Sequence, residues 1–292
     1  MHRTPRNVGL AVAIFVGLAY GTSLVFARLS YDHGTTFFTI VALRYLVLTA
    51  ALAIWLRARH QTVLVPRHLA VRASLIGALA LTTSIAYLAT VAYIPVSLGT
   101  LVFYTHPLLT AVLAATAFRI RSTRTEVVAS IVALAGLGIV LQVSFESLHP
   151  LGLVFGIFAS VSAAIVFILS APVIAAIGAL RFTFYLALTG AGFGCVIAAL
   201  ANSVVFPASA TGWSLLGASV LLNVGGLLGM FVSVRLLGPV ATPMVLNLEP
   251  ITAISLAVIL LGEHLSLAQI AGTVLVIAAI LAAQTSRVRS DR

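Results

Sequence analysis

Six carboxylates are spread over this sequence of 292 residues, and one of them stands apart. Asp32, Glu126, Glu146, Glu263 and Asp291 fall in polar breaks, at the ends of apolar runs or in the C-terminal tail. Glu249 instead lies about ten residues into an apolar run that spans residues 240–261. A carboxylate at that depth in hydrocarbon costs several kcal/mol, so it faces a cavity or a partner. There it can respond to a proton or balance a substrate ammonium group. A second use is structural. Pro250 leaves the carbonyl of Leu246 without its usual helical donor, and Glu249 is placed to cap that opening. Arg44, about nine residues into another run, is as costly unpaired and is the candidate partner. Arg44, Pro107 and Pro250 are therefore expected in structural or coupling roles.

Other polar groups within apolar runs extend this set. His106-Pro107 repeats in the first half the polar residue followed by proline seen at Glu249-Pro250. A neutral imidazole there can take part in proton coupling or can pack as a satisfied core residue. Ser97, Thr100 and Tyr104 recur at helical spacing, and Thr83 and Tyr87 lie one turn apart with Ser84 alongside. Tyr20, Ser23, Ser162, Asn223 and Asn247 fall in further runs. In a half-apolar pocket such groups hydrogen-bond the ends of a small amphipathic solute while aromatic rings pack its body. The competing use is local, with Ser and Thr bonding their own helix carbonyls and Asn joining neighbouring helices. The expected substrate contacts are Tyr20, Ser23, Thr83, Tyr87, Tyr104, His106, Ser162, Asn223, Asn247 and Glu249.

Enzyme signatures are missing. The sequence has no GxxxxGK[ST] phosphate loop and no GxSxG nucleophile elbow. Gly262-Glu263-His264 lacks a second metal ligand, since Ala268 stands four residues beyond His264. Cys195 is the single cysteine and lies in an apolar run, so neither a disulfide framework nor a cysteine metal site is expected. No cofactor, metal or catalytic group is expected.

The elements that must position these residues follow from composition. Hydrophobic residues make up 61% of the chain and charged residues 8%, with a mean hydropathy of +1.19. Soluble domains carry about 25% charged residues, so this chain cannot cover a water-exposed surface. Its runs are long enough to cross ~30 Å of hydrocarbon as helices, and they are unbroken, unlike the alternation of a barrel strand. Ten spans are expected, near 8–27, 35–56, 69–91, 96–118, 126–143, 150–174, 181–201, 212–234, 240–261 and 266–284. The net charge of +10 comes from sixteen basic residues, all Arg. With ten spans, fourteen of them fall on one side with both termini, only Arg28 falls opposite, and Arg44 lies within a span. That asymmetry places both termini in the cytoplasm. It also reads the basic charge as orientation, not as a nucleic-acid site. Arg287 and Arg289 could also meet anionic lipid. The remaining partners expected are the lipid bilayer and a small-molecule substrate.

The halves resemble each other. At an offset of 143, Tyr93-Ile94-Pro95 through Thr105-His106-Pro107 falls on Leu236-Leu237-Gly238 through Leu248-Glu249-Pro250. Ala42-Leu43-Arg44-Tyr45 matches Ala179-Leu180-Arg181-Phe182 at an offset of 137. Five spans per half is an odd number, so the copies (8–143 and 150–285) must insert in opposite senses, the plan on which many secondary transporters are built. Gly17–Gly21, Gly152–Gly156, Gly190–Gly194 and Gly225–Gly229 are GxxxG pairs, suited to close helix packing. Their expected use is internal packing, with dimerisation the alternative.

One stretch carries a family resemblance: Gly238-Pro239, Leu246-Asn247-Leu248-Glu249-Pro250, Leu261-Gly262-Glu263-His264-Leu265-Ser266 and Gln269-Ile270-Ala271-Gly272. It resembles the signature of the drug/metabolite transporter superfamily in its ten-helix form with two EamA-type repeats. Ala42-Leu43-Arg44-Tyr45 is similar to the Ala-Leu-Arg-aromatic segment of that family's second helix. Where the first repeat often carries Gly-Glu after its fourth helix, this chain has Arg119-Ile120. The resemblance implies an all-α inner-membrane transporter with a cavity formed by spans 1, 3, 4, 6, 8 and 9. It further implies secondary or facilitated export of a small metabolite such as an amino acid by alternating access. The alternatives are export of drugs or organic cations and a lipid-handling subunit.

The orientation is testable in a Cys195→Ala background. A membrane-impermeant maleimide applied to intact cells should label Gly34→Cys and Ala208→Cys. Gln61→Cys should react only after the membrane is opened. Labelling of Gln61→Cys in intact cells would reverse the orientation.

Overall fold

The computed structural model describes residues 5–117, 128, 131–132, 135–136, 139, 149–246 and 248–290. Among them all regular structure is helical. In chain order the helices are α1 (Pro5–Tyr31), α2 (Phe37–Ala58), α3 (Arg67–Tyr93), α4 (Val96–Phe103) and α5 (His106–Ala117), then α6 (Pro150–Ile177), α7 (Ala179–Leu200), α8 (Ala210–Val245), α9 (Leu248–Leu261) and α10 (Leu267–Ser290). Six of these are long and apolar enough to cross a membrane. Most of the span expected at 126–143 lies outside the described residues.

Helix ends follow local chemistry. Thr36 caps α2, its hydroxyl oxygen accepting the amide of Thr39. Pro150 opens α6, where the missing N–H has no helical partner to lose. Gly178, with φ of +83°, turns α6 directly into α7, and Gly262, with φ of +66°, follows α9, a conformation open to glycine without a Cβ clash.

Two boundaries depart from the sequence expectation. The span expected at 96–118 is broken at Tyr104-Thr105 into α4 and α5, and the expected division at 235–239 is absent because α8 continues to Val245. The breaks come instead three residues before Pro107 and just after Leu246, four before Pro250. Proline cannot bond the carbonyl four residues earlier, so the helix opens at Phe103 and Leu246. Pro239 lies within α8 without ending it.

The halves interlock. α1 packs on α8 and α9, α2 on α7, and α3 on both α6 and α7. Glycines sit where these helices cross. Gly17 and Gly21 face the start of α9, Gly152 and Gly156 face Ile94 and Val102, and Gly190 and Gly194 face Tyr45 and Leu81. Gly225 meets Phe15 and Gly229 meets Val16. All four GxxxG pairs thus serve packing within one chain.

Where a crossing brings backbone nearest, a Cβ on Gly21 would stand 2.7 Å from the Glu249 carbonyl oxygen and 3.0 Å from the Ala253 amide. Backbone cannot step aside as a flexible side chain can. Gly21→Ala should destabilise the detergent-purified protein by about 1–3 kcal/mol, read as a lowered unfolding midpoint. Gly192→Ala meets open space and should cost nothing measurable in the same assay.

Candidate functional site

The centre of the molecule is built around the two broken helices. The Phe103 carbonyl, which Pro107 cannot serve, is met by the Nδ1 of His106 at 3.0 Å. A carbonyl only accepts, so this contact places the imidazole hydrogen on Nδ1. The Leu246 carbonyl, which Pro250 cannot serve, is met by the Glu249 amide at 2.8 Å and the Tyr104 hydroxyl at 2.9 Å. Each polar residue before a proline therefore helps close the opening beside it, and Tyr104 of the first half closes that of the second.

Glu249 is buried and held by two tyrosines. The Tyr87 hydroxyl donates to Oε1 at 3.2 Å, and the Tyr104 hydroxyl lies 2.7 Å from Oε2. Tyr104 has a single hydrogen for two acceptors. When Glu249 is ionised, Tyr104 can donate to it. When the carboxyl is protonated it can donate to the Tyr104 oxygen, freeing the phenolic hydrogen for the Leu246 carbonyl. The protonation state of Glu249 thus bears directly on the break between α8 and α9.

Arg44 does not pair with Glu249. The ion pair among the described residues is Arg28–Asp32, at 2.9 Å. The Arg44 Nη2 instead donates to the Ser23 hydroxyl at 2.8 Å and the Ser219 hydroxyl at 2.9 Å. Those serines complete the arrangement across the α1–α8 seam. Ser23 donates to the Ser219 carbonyl at 2.7 Å, and Ser219 donates to the Ser23 carbonyl at 2.8 Å. Both serines are neutral, so they orient the guanidinium without balancing its charge. Its Nε is buried without an acceptor.

Arg44 and Glu249 line one cavity of about 130 Å³. Of the expected contacts, Tyr20, Ser23, Thr83, Tyr87 and Asn223 share this wall. Tyr104 stands behind Glu249, with 1% of its surface exposed. Ser162 stands behind Thr83, whose hydroxyl is 2.8 Å from its oxygen. His106 is also outside the lining. It stacks on Phe167 at a centroid distance of 5.6 Å, and Phe167 with Phe103 forms the wall in front of it. Asn247 and the side chain of Pro107 lie outside the described residues, and Pro250 is buried at the start of α9.

Several further groups belong to the site beyond the expected contacts. Arg44 and Tyr45 add α2 to the expected ring of helices. Phe103 stacks on Tyr87 at 3.9 Å, Met230 lies against the Tyr20 hydroxyl, and Ser219 completes the seat of Arg44. Ser219 lies one helical turn before Asn223, which is the pattern that could have drawn attention to it. Glu263 follows the end of α9 in a polar turn. Its carboxylate reaches the opposite half and caps α4, accepting the amides of Val96 at 2.8 Å and Ser97 at 3.1 Å and the Ser97 hydroxyl at 2.6 Å. Pro95 gives that helix no side-chain cap, so Glu263 supplies one. α4 and α9 are thereby tied at both ends, by Glu263 at the rim and by Tyr104 with Glu249 at the centre.

The sequence profile of the EamA-like transporter family matches the chain twice, at residues 7–142 and 150–284. A solved crystal structure is similar over 98% of this chain and 100% of its own, with a TM-score of 0.71 and 19% identity. That identity carries the fold alone. No curated protein matches in sequence.

Removing the Tyr104 hydroxyl takes a donor from both Glu249 and the Leu246 carbonyl. Tyr104→Phe should lower stability by about 1–3 kcal/mol, read as a fall in the unfolding midpoint of the purified protein. Tyr87→Phe, which loses one longer bond, should cost less. Equal effects would show that the Leu246 contact adds nothing.

Proposed function

The chain belongs to the EamA-like transporter family, and from that premise we propose that it exports a small metabolite such as an amino acid across the inner membrane by alternating access. Members of this family are membrane transporters of small molecules, and this chain is one of them. Transport is secondary or facilitated, since the sequence holds no phosphate loop to drive it by nucleotide hydrolysis.

The observation that carries the reading is Glu249. It is a buried carboxylate held by Tyr87 and Tyr104 on the wall of a half-apolar cavity, at the mouth of an interrupted helix. Discontinuous helices meeting at a central site are the recurrent construction of secondary transporters. In the proposed cycle two inverted five-span halves, ten spans in all, rock about the cavity with both termini in the cytoplasm. Their crossings at Gly17, Gly21, Gly225 and Gly229 bring backbones close and leave smooth surfaces for small movements. Breaks beside Pro107 and Pro250 give each half a point at which the backbone can bend. Lipid covers the exposed apolar faces, including Leu75, Ile157 and Leu221.

A second reading, export of organic cations, draws on the aromatic surface beside the carboxylate. Tyr87 and Phe103 stack next to Glu249, and such faces also attract cations. The two readings separate by what leaves the cell. Cells overproducing the intact protein should accumulate at least one metabolite in the medium that control cells do not. With Glu249→Gln, its efflux should fall about tenfold or more while membrane abundance and unfolding midpoint stay near those of the intact protein. Normal flux in a folded variant would remove Glu249 from the transport step. Efflux of cationic dyes in preference to amino acids would select the second reading.

A further inference from the structure

Resting on the transport reading above, we propose that Arg44 is an anion anchor that receives the carboxylate of a zwitterionic substrate whose ammonium group lies against Glu249. The first support is the state of Arg44 itself. The residue is 7% exposed and lines the cavity. Nη2 places its hydrogens on two neutral serines, Nε has no acceptor, and no carboxylate among the described residues forms an ion pair with the guanidinium. A buried cation with neutral partners is oriented yet unbalanced, and its desolvation is offset only when an anion arrives. The planar guanidinium is matched to carboxylate geometry.

The second support is the separation of charge. Arg44 comes from α2 and Glu249 from the start of α9, and both face the same 130 Å³ space without touching. A molecule with positive and negative groups near one end satisfies both walls together. Between them the surface is apolar, with Leu24, Ala80, Val166, Leu227 and Phe231. Cavities of roughly 150 Å³ hold a benzene ring, so a space of about 130 Å³ suits an amino acid with a short aliphatic side chain.

Selectivity follows from what a wrong substrate leaves behind. An amine without a carboxylate can meet Glu249 but adds positive charge to a cavity where Arg44 stays unbalanced. Rejection therefore rests on the missing partner as much as on lost attraction. Ser23 and Ser219 are positioning residues in this scheme. They hold the guanidinium against the α1–α8 seam, so it meets the guest with little orientation left to lose.

The test uses the purified full-length protein in liposomes, with L-alanine and L-valine against ethylamine and isobutylamine, which keep the side chains and lack the carboxylate. The zwitterions should bind and exchange with affinities on the order of 100-fold above the amines. Arg44→Gln should erase that preference, and Arg44→Lys should keep part of it. Ser219→Ala should weaken the zwitterions more than the amines and so narrow the preference. Amines that bind as well as the zwitterions, or no binding of either zwitterion, would overturn the assignment. So would a folded Arg44→Gln protein that keeps the preference. Should Arg44→Gln fail to fold, the comparison of ligands on the intact protein decides alone. Amine transport without zwitterion transport defeats the Arg44 assignment and leaves the transport reading standing. A medium profile in which no compound accumulates defeats that reading itself.

Discussion

A carbonyl opened inside a bilayer has no water to bond, and it must be satisfied by protein. Two prolines create such openings near the centre of this molecule, at Phe103 and Leu246. Those two carbonyls organise what surrounds them. His106 turns its imidazole back onto the first. Tyr104 crosses from the other half to the second and in doing so reaches the carboxylate of Glu249. The polar groups at the core are thus anchored to backbone, which fixes their positions more firmly than side-chain packing alone. The Tyr104 contacts join the two halves at the place where each is interrupted.

Charge is treated differently from backbone polarity. Glu249 and Arg44 are both buried, yet the fold keeps them apart and gives each its own neutral escort, tyrosines for the carboxylate and serines for the guanidinium. Joined directly, they would neutralise one another and leave the cavity with hydroxyl and amide groups. Held apart, each keeps its own escort on the wall of the same cavity.

The rim and the crossings complete the frame. Glu263 caps α4 from the far half, while Gly21 lets α1 approach α9 so closely that a methyl group would strike its backbone. Beside Glu263 a polar cavity of about 390 Å³ opens between Tyr93, Pro95 and the Arg28–Asp32 pair. Ties of this kind hold α4 beside α9 at both the rim and the centre.

Much of this was legible in the amino-acid order. Runs of about twenty apolar residues with 8% charge determine helices in lipid, because only helices and closed barrels satisfy the backbone there and an unbroken run lacks the alternation of a barrel strand. Glu249 and Arg44 stand out because a charge in such a run is costly wherever it faces. Prolines 107 and 250 announce lost hydrogen bonds. What the order of residues could not determine is which groups answer those losses. That Leu246 is served by Tyr104, that Arg44 meets Ser219 and not Glu249, and that His106 stands behind Phe103 and Phe167 depend on contacts between residues far apart in the chain. Periodicity reports the face a residue occupies on its own helix. The partner across that face, and hence whether a polar group lines the cavity or supports its wall, was decided by how the two halves interlock.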